Sequence, residues 1–235
     1  GKEIILPSNT FVATANAIIN AGAIPVFADC GDDMCLDPKD VEKKITGNTG
    51  AVMTVHIGGI VSSNIILLQE ICSINKIHLI EDAAQAHGSS FEGKKAGSFG
   101  IAAGFSFFST KVLTTGEGGM VTTSDLLLGK KMRSLREFGK EKNGVYINYY
   151  TALGYNWRLP EVAALMGIRQ LDSIDDFISG RQEIAAIYDR ELSGCDEIKI
   201  VNPPNKQEHN YFKYIVLLKN HDRALLHEKL QEKQI

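Results

Sequence analysis

The sequence predicts an α/β fold: a mostly parallel, doubly wound sheet with helices on both faces. Three observations predict it. Short apolar runs alternate with helical patterns along the first 140 or so residues, which is the order of a β-α-β chain. Several runs are continuously apolar instead of alternating, as suits strands covered on both sides. The helical stretches between them carry recognisable ends.

The first strand is Glu3–Leu6. "SNTFVATANAIINAG" follows as a helix, with Ser8 or Thr10 as its N-cap and Gly22 just past its C-terminus. Ile24–Ala28 is the second strand. "LDPKDVEKKI" is a helix capped by Asp37, with Pro38 in its first turn. Ala51–Val55 is a strand, Asn64–Ile74 a helix and His78–Glu81 another strand. Gly104–Phe108 and Met120–Thr123 complete the set of strands. Asp125–Phe138 reads as an amphipathic helix ending at Gly139.

Beyond Gly139 the character changes. "KEKNGVYINYYTALGYN" is a polar and aromatic loop, and two helical segments then run to Gly194. After the loop "VNPPNKQ", "YFKYIVLL" alternates like a strand and "RALLHEKLQ" like a helix. The reading divides the chain into a large domain, residues 1–175, and residues 176–235, a linking helix with the start of a smaller α/β domain. A strand within the first residues and an end inside a helical pattern read as a fragment of a longer protein.

Composition narrows the function. The 235 residues are 44% hydrophobic and 23% charged, with a formal net charge of −3. No basic stripe points to nucleic acid, and no apolar run reaches the roughly 20 residues that cross a bilayer. The four cysteines show no C-x-x-C spacing. Neither a metal site nor a disulfide framework is expected, and a reducing cytoplasm is the default compartment.

Open α/β sheets bind ligands beyond the carboxyl ends of their strands. Asp82, Gln85 and His87 follow "HLIED"; Ser109, Thr110 and Lys111 follow "GFSFF"; His56, Gly58 and Gly59 follow "AVMTV". Strand alternation puts Glu81 and Asp82 on opposite faces, so at most one faces the site. Singly these residues say little. An aspartate after a strand also serves as a turn cap, and a lone lysine is commonly a surface residue whose stem lies over apolar neighbours. "GEGG" fits a plain turn. Together, an acid at one strand end and Ser106 with Lys111 at a later one match the needs of pyridoxal phosphate. That cofactor takes an amine for a Schiff base, a carboxylate for its pyridine nitrogen, and hydroxyl and N–H groups for its phosphate. Aromatic neighbours would lower the pKa of Lys111, as a nucleophile requires.

"LPSNTFVATANAIINAGAIPVFAD", "LIEDAAQAHGSSFEGKKAGSFG", "FSFFSTKVLTTGEGGMVTT" and "GYNWRLPEVAALMGIRQL" closely resemble the DegT/DnrJ/EryC1/StrS family across nearly the whole chain. These are pyridoxal-phosphate enzymes of fold type I, similar to aspartate aminotransferase, and most are sugar-nucleotide aminotransferases. The resemblance implies that Lys111 bonds the cofactor, Asp82 pairs with its ring nitrogen and Gln85 contacts its phenolic oxygen. It also implies that Ser106 binds the phosphate and that Phe11 stacks on the ring. Asn156 would reach the phosphate of a cofactor in a neighbouring subunit, so a homodimer is expected. His56 and His87 lie in family segments without an assigned role.

The implied activity moves an amino group from L-glutamate to a keto-sugar nucleotide, for a cell-surface polysaccharide, glycan or antibiotic. Loops that include Lys140–Thr151 are expected to shape the sugar site. Relatives also carry an upstream phosphate-binding turn and a longer C-terminal domain. Three rival readings carry less. The family's sugar dehydratases have histidine where this chain has Lys111. A non-catalytic scaffold has no need of Asp82, Gln85, Ser106 and Lys111 together. A nucleotide-binding oxidoreductase needs a glycine fingerprint after the first strand that is absent here.

Overall fold

The computed structural model describes residues 1–141, 149–203 and 207–235. In chain order the first elements are β1 (Glu3–Pro7), α1 (Val12–Asn20), β2 (Ile24–Ala28), α2 (Pro38–Lys44), β3 (Thr49–Val55), α3 (Ile65–Ile74) and β4 (His78–Asp82). A short hairpin, β5 (Ser90–Phe91) and β6 (Lys94–Lys95), precedes β7 (Ala102–Ser106), β8 (Gly119–Thr122) and α4 (Leu126–Arg136). There follow β9 (Lys140–Glu141), β10 (Tyr149–Tyr150), α5 (Glu161–Asp172), α6 (Ile174–Leu192), β11 (Ile198–Ile200), β12 (Gln207–Glu208), β13 (Val216–Leu218) and α7 (Arg223–Glu232).

The central sheet has six strands in the order β2-β1-β3-β4-β7-β8. All neighbours are parallel except β7 and β8. The chain moves outward from β1 to β2, then returns to the other side of β1 for β3. That reversal opens a crevice at the carboxyl edge of the sheet. Register then aligns the strand ends: Val55 pairs with Asp82, and Asp82 with Gly104. The core joins Ile5, Val52, Leu79 and Ala103 of the sheet to Val41 of α2 and to Ile65, Leu68 and Ile71 of α3. These residues are the continuous apolar runs and the helical stripe seen in the sequence.

Most element ends match the sequence reading, and the exceptions have local causes. Helix α1 starts one residue later than its hydroxyls suggest: Phe11 holds the N-cap position without a side-chain cap bond. Ser8 is still tied to the sheet through its N–H to Ala28 O, and Thr10 Oγ1 lies 2.6 Å from Thr14 Oγ1 instead of capping. The other end closes as expected. Gly22 sits at φ +73° and donates to Ile19 O, while Ala23 N–H reaches back to Ile18 O. That doubled bond needs a left-handed residue, which glycine adopts without strain. Asp37 caps α2 by accepting from Lys39 N–H, with Pro38 behind it. Asp125 caps α4 by accepting from both Leu127 and Leu128 N–H.

Strand β7 begins at Ala102 and ends at Ser106, so Phe107 to Lys111 belong to the turn that follows. Only Val216–Leu218 of "YFKYIVLL" forms a strand. The "KEKNGVYINYYTALGYN" loop contains the β9–β10 pairing, and its residues 142–148 lie outside the described residues, as do residues 204–206 of "VNPPNKQ". Among the described residues no helix is long and apolar enough to cross a membrane.

Candidate active site

The carboxyl edge of the sheet gathers the residues that the sequence singles out. Asp82 ends β4. Its Oδ2 accepts a 2.7 Å hydrogen bond from Thr14 Oγ1, in the first turn of α1, and its Oδ1 accepts from Ala84 N–H at 3.1 Å. The carboxylate is therefore aimed along the α1 side of the sheet. Glu81 takes the opposite face, as alternation predicts. It is 1% exposed, and its oxygens accept from the N–H groups of Gly97, Phe99 and Gly100, each at 2.6 Å. His56 Nε2 lies 2.9 Å from Glu81 Oε2. Burial alone would raise the Glu81 carboxyl, but His56 and the backbone donors hold it below its ordinary value.

Lys111 stands in the turn after β7, where its N–H donates to Phe108 O. Val112 and Leu113, buried beside it, fix that turn. Its Nζ lies 4.8 Å from the centroid of the Phe212 ring. Burial lowers the amine below the usual lysine value; Asp82 pulls it up, and Lys213 pushes it down again. The lysine is half-buried, so the desolvation expected from its aromatic neighbours is present in part. Among the described residues no carboxylate lies within ion-pair distance of it.

A layer from late in the chain closes this edge. Gln85 Oε1 accepts from Gly58 N–H at 2.7 Å, which leaves its Nε2 as the end able to donate. Fully buried Asn210 bridges the same loops. Its Nδ2 donates to Gln85 O at 2.9 Å and His87 O at 3.0 Å, and its Oδ1 accepts from Phe212 N–H at 2.9 Å. Gly59, at φ +98°, leaves no room for a Cβ against the Asn210 side chain. These contacts set Phe212 over Lys111. None of these contacts was singled out in the sequence analysis, because the hydrogen bonds between these loops join partners from 27 to 125 positions apart, which leave no local signal. Thr14, 68 positions from Asp82, was missed for the same reason.

The remaining candidates divide. Ser106 ends β7, and its Oγ accepts from Phe108 N–H at 3.3 Å. Phe11 is 68% exposed at the start of the helix that supplies Thr14. Asn156 is exposed, in a bridge with Glu137. His87 is 4% exposed and packed near the rings of Phe105 and Phe107. The Ser106 backbone lies within reach of its ring, but neither ring nitrogen makes a hydrogen bond of good geometry among the described residues. Burial, with a smaller push from Lys111, lowers His87 to about 4. It is neutral at physiological pH. Two clefts, about 310 and 460 Å³, lie elsewhere, beside Gly97 and Thr122 and beside Asp33 and Lys199. Among the described residues no cluster of metal-ligating side chains occurs.

The arrangement suits a phosphorylated pyridine aldehyde. Lys111 brings an amine with no carboxylate at ion-pair distance among the described residues, Asp82 a carboxylate held by the Thr14 hydroxyl, and Gln85 an amide whose oxygen is committed to Gly58 N–H. Known proteins resemble the chain accordingly. All of residues 1–235 match the sequence model of the DegT/DnrJ/EryC1/StrS aminotransferase family. A GDP-perosamine synthase of Vibrio cholerae is 38% identical over 220 residues, 93% of this chain and 59% of that protein. One of Escherichia coli O157:H7 is 35% identical over 237 residues, 100% of this chain and 64% of that protein. The structure of Helicobacter pylori PseC, an aminotransferase involved in the biosynthesis of pseudoaminic acid, superposes with a TM-score of 0.94 at 31% identity. It covers 99% of this chain and 63% of PseC. The chain thus spans about 60% of the length of these relatives.

Proposed function

Because the chain belongs to the DegT/DnrJ/EryC1/StrS aminotransferase family, we propose that the full-length protein is a pyridoxal-phosphate-dependent aminotransferase. It moves an amino group from L-glutamate to a keto-sugar nucleotide in amino-sugar biosynthesis. The observation that carries this reading is the Lys111 amine, lowered by burial, in electrostatic reach of a carboxylate fixed by Thr14.

When bound, pyridoxal phosphate supplies an aldehyde for a lysine and a ring that accepts an electron pair. The chain's own residues do the rest. Lys111 would be the nucleophile and would carry a proton to and from the donor α-carbon. Asp82, oriented by Thr14, would keep the ring nitrogen protonated. Gln85, its Oε1 committed to Gly58, would donate through Nε2 to the phenolic oxygen. Ser106 would hold the phosphate, and Phe11 would cover a ring face.

The protein is a homodimer in this reading. The α5 side chains Val162, Leu165 and Leu171 are 74%, 61% and 59% exposed, and Leu153 and Trp157 beside Asn156 are 90% and 65% exposed. An apolar surface of that kind needs cover, and a second subunit on it brings Asn156 to its neighbour's phosphate. Residues 1–175 form the large cofactor-binding domain, with 176–235 the linker and part of the small one. Lys140–Thr151, of which residues 142–148 lie outside the described residues, borders the sugar site. The names of the relatives favour a substrate carried on GDP or UDP. Nucleotide-linked substrates and four free cysteines fit the cytoplasm.

The test is spectroscopic. Full-length protein loaded with pyridoxal phosphate should be yellow and bleach on addition of L-glutamate, and Lys111→Ala should lose the colour of the lysine-linked form. Equal spectra and turnover for wild type and Lys111→Ala would refute the assignment.

A further inference from the structure

The site holds a second ammonium that the proposed reaction does not yet use. Lys213 Nζ lies 5.1 Å from the centroid of the Phe212 ring, and Lys111 Nζ lies 4.8 Å from the same centroid. One aromatic ring thus accompanies two cations. Neither has a carboxylate within ion-pair distance among the described residues. The chain as a whole carries a formal net charge of −3, so this pair is not part of a generally basic surface.

The main chain of Lys213 is fixed. Its N–H donates to Gly58 O at 3.0 Å, and Gly58 N–H in turn donates to Gln85 Oε1 at 2.7 Å. A Cβ on Gly58 would come within 2.8 Å of Ile215 Cδ1 and 3.5 Å of Lys213 Cβ, so the two segments are in close contact. The Lys213 side chain is exposed, anchored at its base and able to reposition its ammonium at the tip. Burial lowers the Lys111 amine, Asp82 opposes that, and the Lys213 charge adds a smaller push down. Two like charges beside one ring, with Asp82 the acid that acts on Lys111 and no carboxylate at ion-pair distance of either among the described residues, form a place where an anion is attracted.

We propose that Lys213 receives the α-carboxylate of the amino donor and so sets the site's preference for an amino acid in the first half of the reaction. This rests on the aminotransferase reading. The choice of anion follows from chemistry. The α-carboxylate is one carbon removed from the reacting nitrogen, whereas the diphosphate of a sugar nucleotide is separated from the reacting carbonyl by the sugar ring. An ammonium that shares the Phe212 ring with Lys111 meets the nearer anion. The sugar half-reaction, which brings no carboxylate to that position, does not need it.

The experiment uses the full-length protein loaded with pyridoxal phosphate, as wild type, Lys213→Met and Lys213→Arg. The two half-reactions are followed separately by absorbance. Losing a hydrogen bond to a charged group predicts a roughly ten- to hundredfold weaker L-glutamate dependence in Lys213→Met. Lys213→Arg should recover part of it, and the sugar-nucleotide dependence should stay within about twofold. Calorimetric titration with 2-oxoglutarate gives a readout free of turnover. Wild-type affinity should fall with added salt, while Lys213→Met should be weaker and nearly salt-independent. Unchanged 2-oxoglutarate and L-glutamate binding in Lys213→Met overturns the proposal. So does a loss confined to the sugar nucleotide, which would assign Lys213 to its phosphates. If instead wild type aminates no keto-sugar nucleotide yet its dicarboxylate binding still depends on Lys213, the sugar reading fails and the carboxylate site stands.

Discussion

Thr14 Oγ1 and Asp82 Oδ2 are joined by a 2.7 Å hydrogen bond across 68 positions of sequence. The bond makes the first helix the orienting element for the acid at the end of β4. Thr14→Val, which keeps the shape and removes the hydroxyl, should lower kcat about tenfold, with Thr14→Ser near wild type. Fold stability should drop by about 2 kcal/mol, the net worth of one hydrogen bond to a charged group. Steady-state kinetics beside a urea melt would show the separation. A Thr14→Val protein with full kcat would mean that Asp82 needs no orientation.

Glu81 serves the fold. Its buried carboxylate accepts three backbone N–H groups from the 97–100 loop and meets His56. Glu81→Leu should destabilise the protein by about 3 kcal/mol or more, because those donors and His56 lose their acceptor together. The pH dependence has a definite sign. The folded carboxyl lies below its unfolded value, so its contribution is full above the ordinary carboxylate range and is lost as pH falls through the folded value. Denaturant melts of wild type and variant should therefore converge on acidification.

His87 and His209 are both buried, and burial lowers each to about 4. Unfolding lets them bind protons near pH 6.5, so stability falls as pH drops from about 6.5 toward 4. The loss is up to about 3 kcal/mol for each histidine. His87 packs near two phenylalanines without a well-formed hydrogen bond, so His87→Leu should fold and should flatten part of this acid loss. Urea midpoints at pH 7.5 and 5 measure it. An unchanged difference between the two pH values would contradict the buried neutral state.

Lys213 helps to hold the Lys111 amine down. Removing that positive charge favours protonated Lys111, so its pKa rises. The rate at which full-length apoprotein captures pyridoxal phosphate should climb with pH as Lys111 loses its proton. In Lys213→Met that climb should move to higher pH. An identical profile would show that the two amines do not sense each other.

The sheet and the helices around it were legible because their signals are local. Short apolar runs, several of them continuous, marked every central strand, and Asp37, Gly22 and Asp125 marked helix ends through bonds that span a few residues. Asp82, Gln85, Ser106 and Lys111 were legible as strand-end chemistry and by family resemblance, and the fold brings their segments to one edge. The alternation argument also separated Glu81 from Asp82 correctly. It was silent on what Glu81 does, since its partners lie in the 97–100 loop and at His56. The N-cap of α1 was misplaced because Thr10 and Thr14 bond to each other, a preference that a capping rule does not weigh. The two-residue strands β5 and β6 carry too few residues for any period to register. Asn210, Phe212 and Lys213 were invisible as site residues because only the folded chain brings them to Gln85 and Lys111.

The bridge from Asn210 to the backbone of Gln85 spans 125 positions. During synthesis the sheet and its acid emerge well before the segment that caps them. A nascent chain halted before that segment would have its core and an open, misordered edge. Capture of a ligand at this edge would then be expected only once the segment around Asn210 has docked.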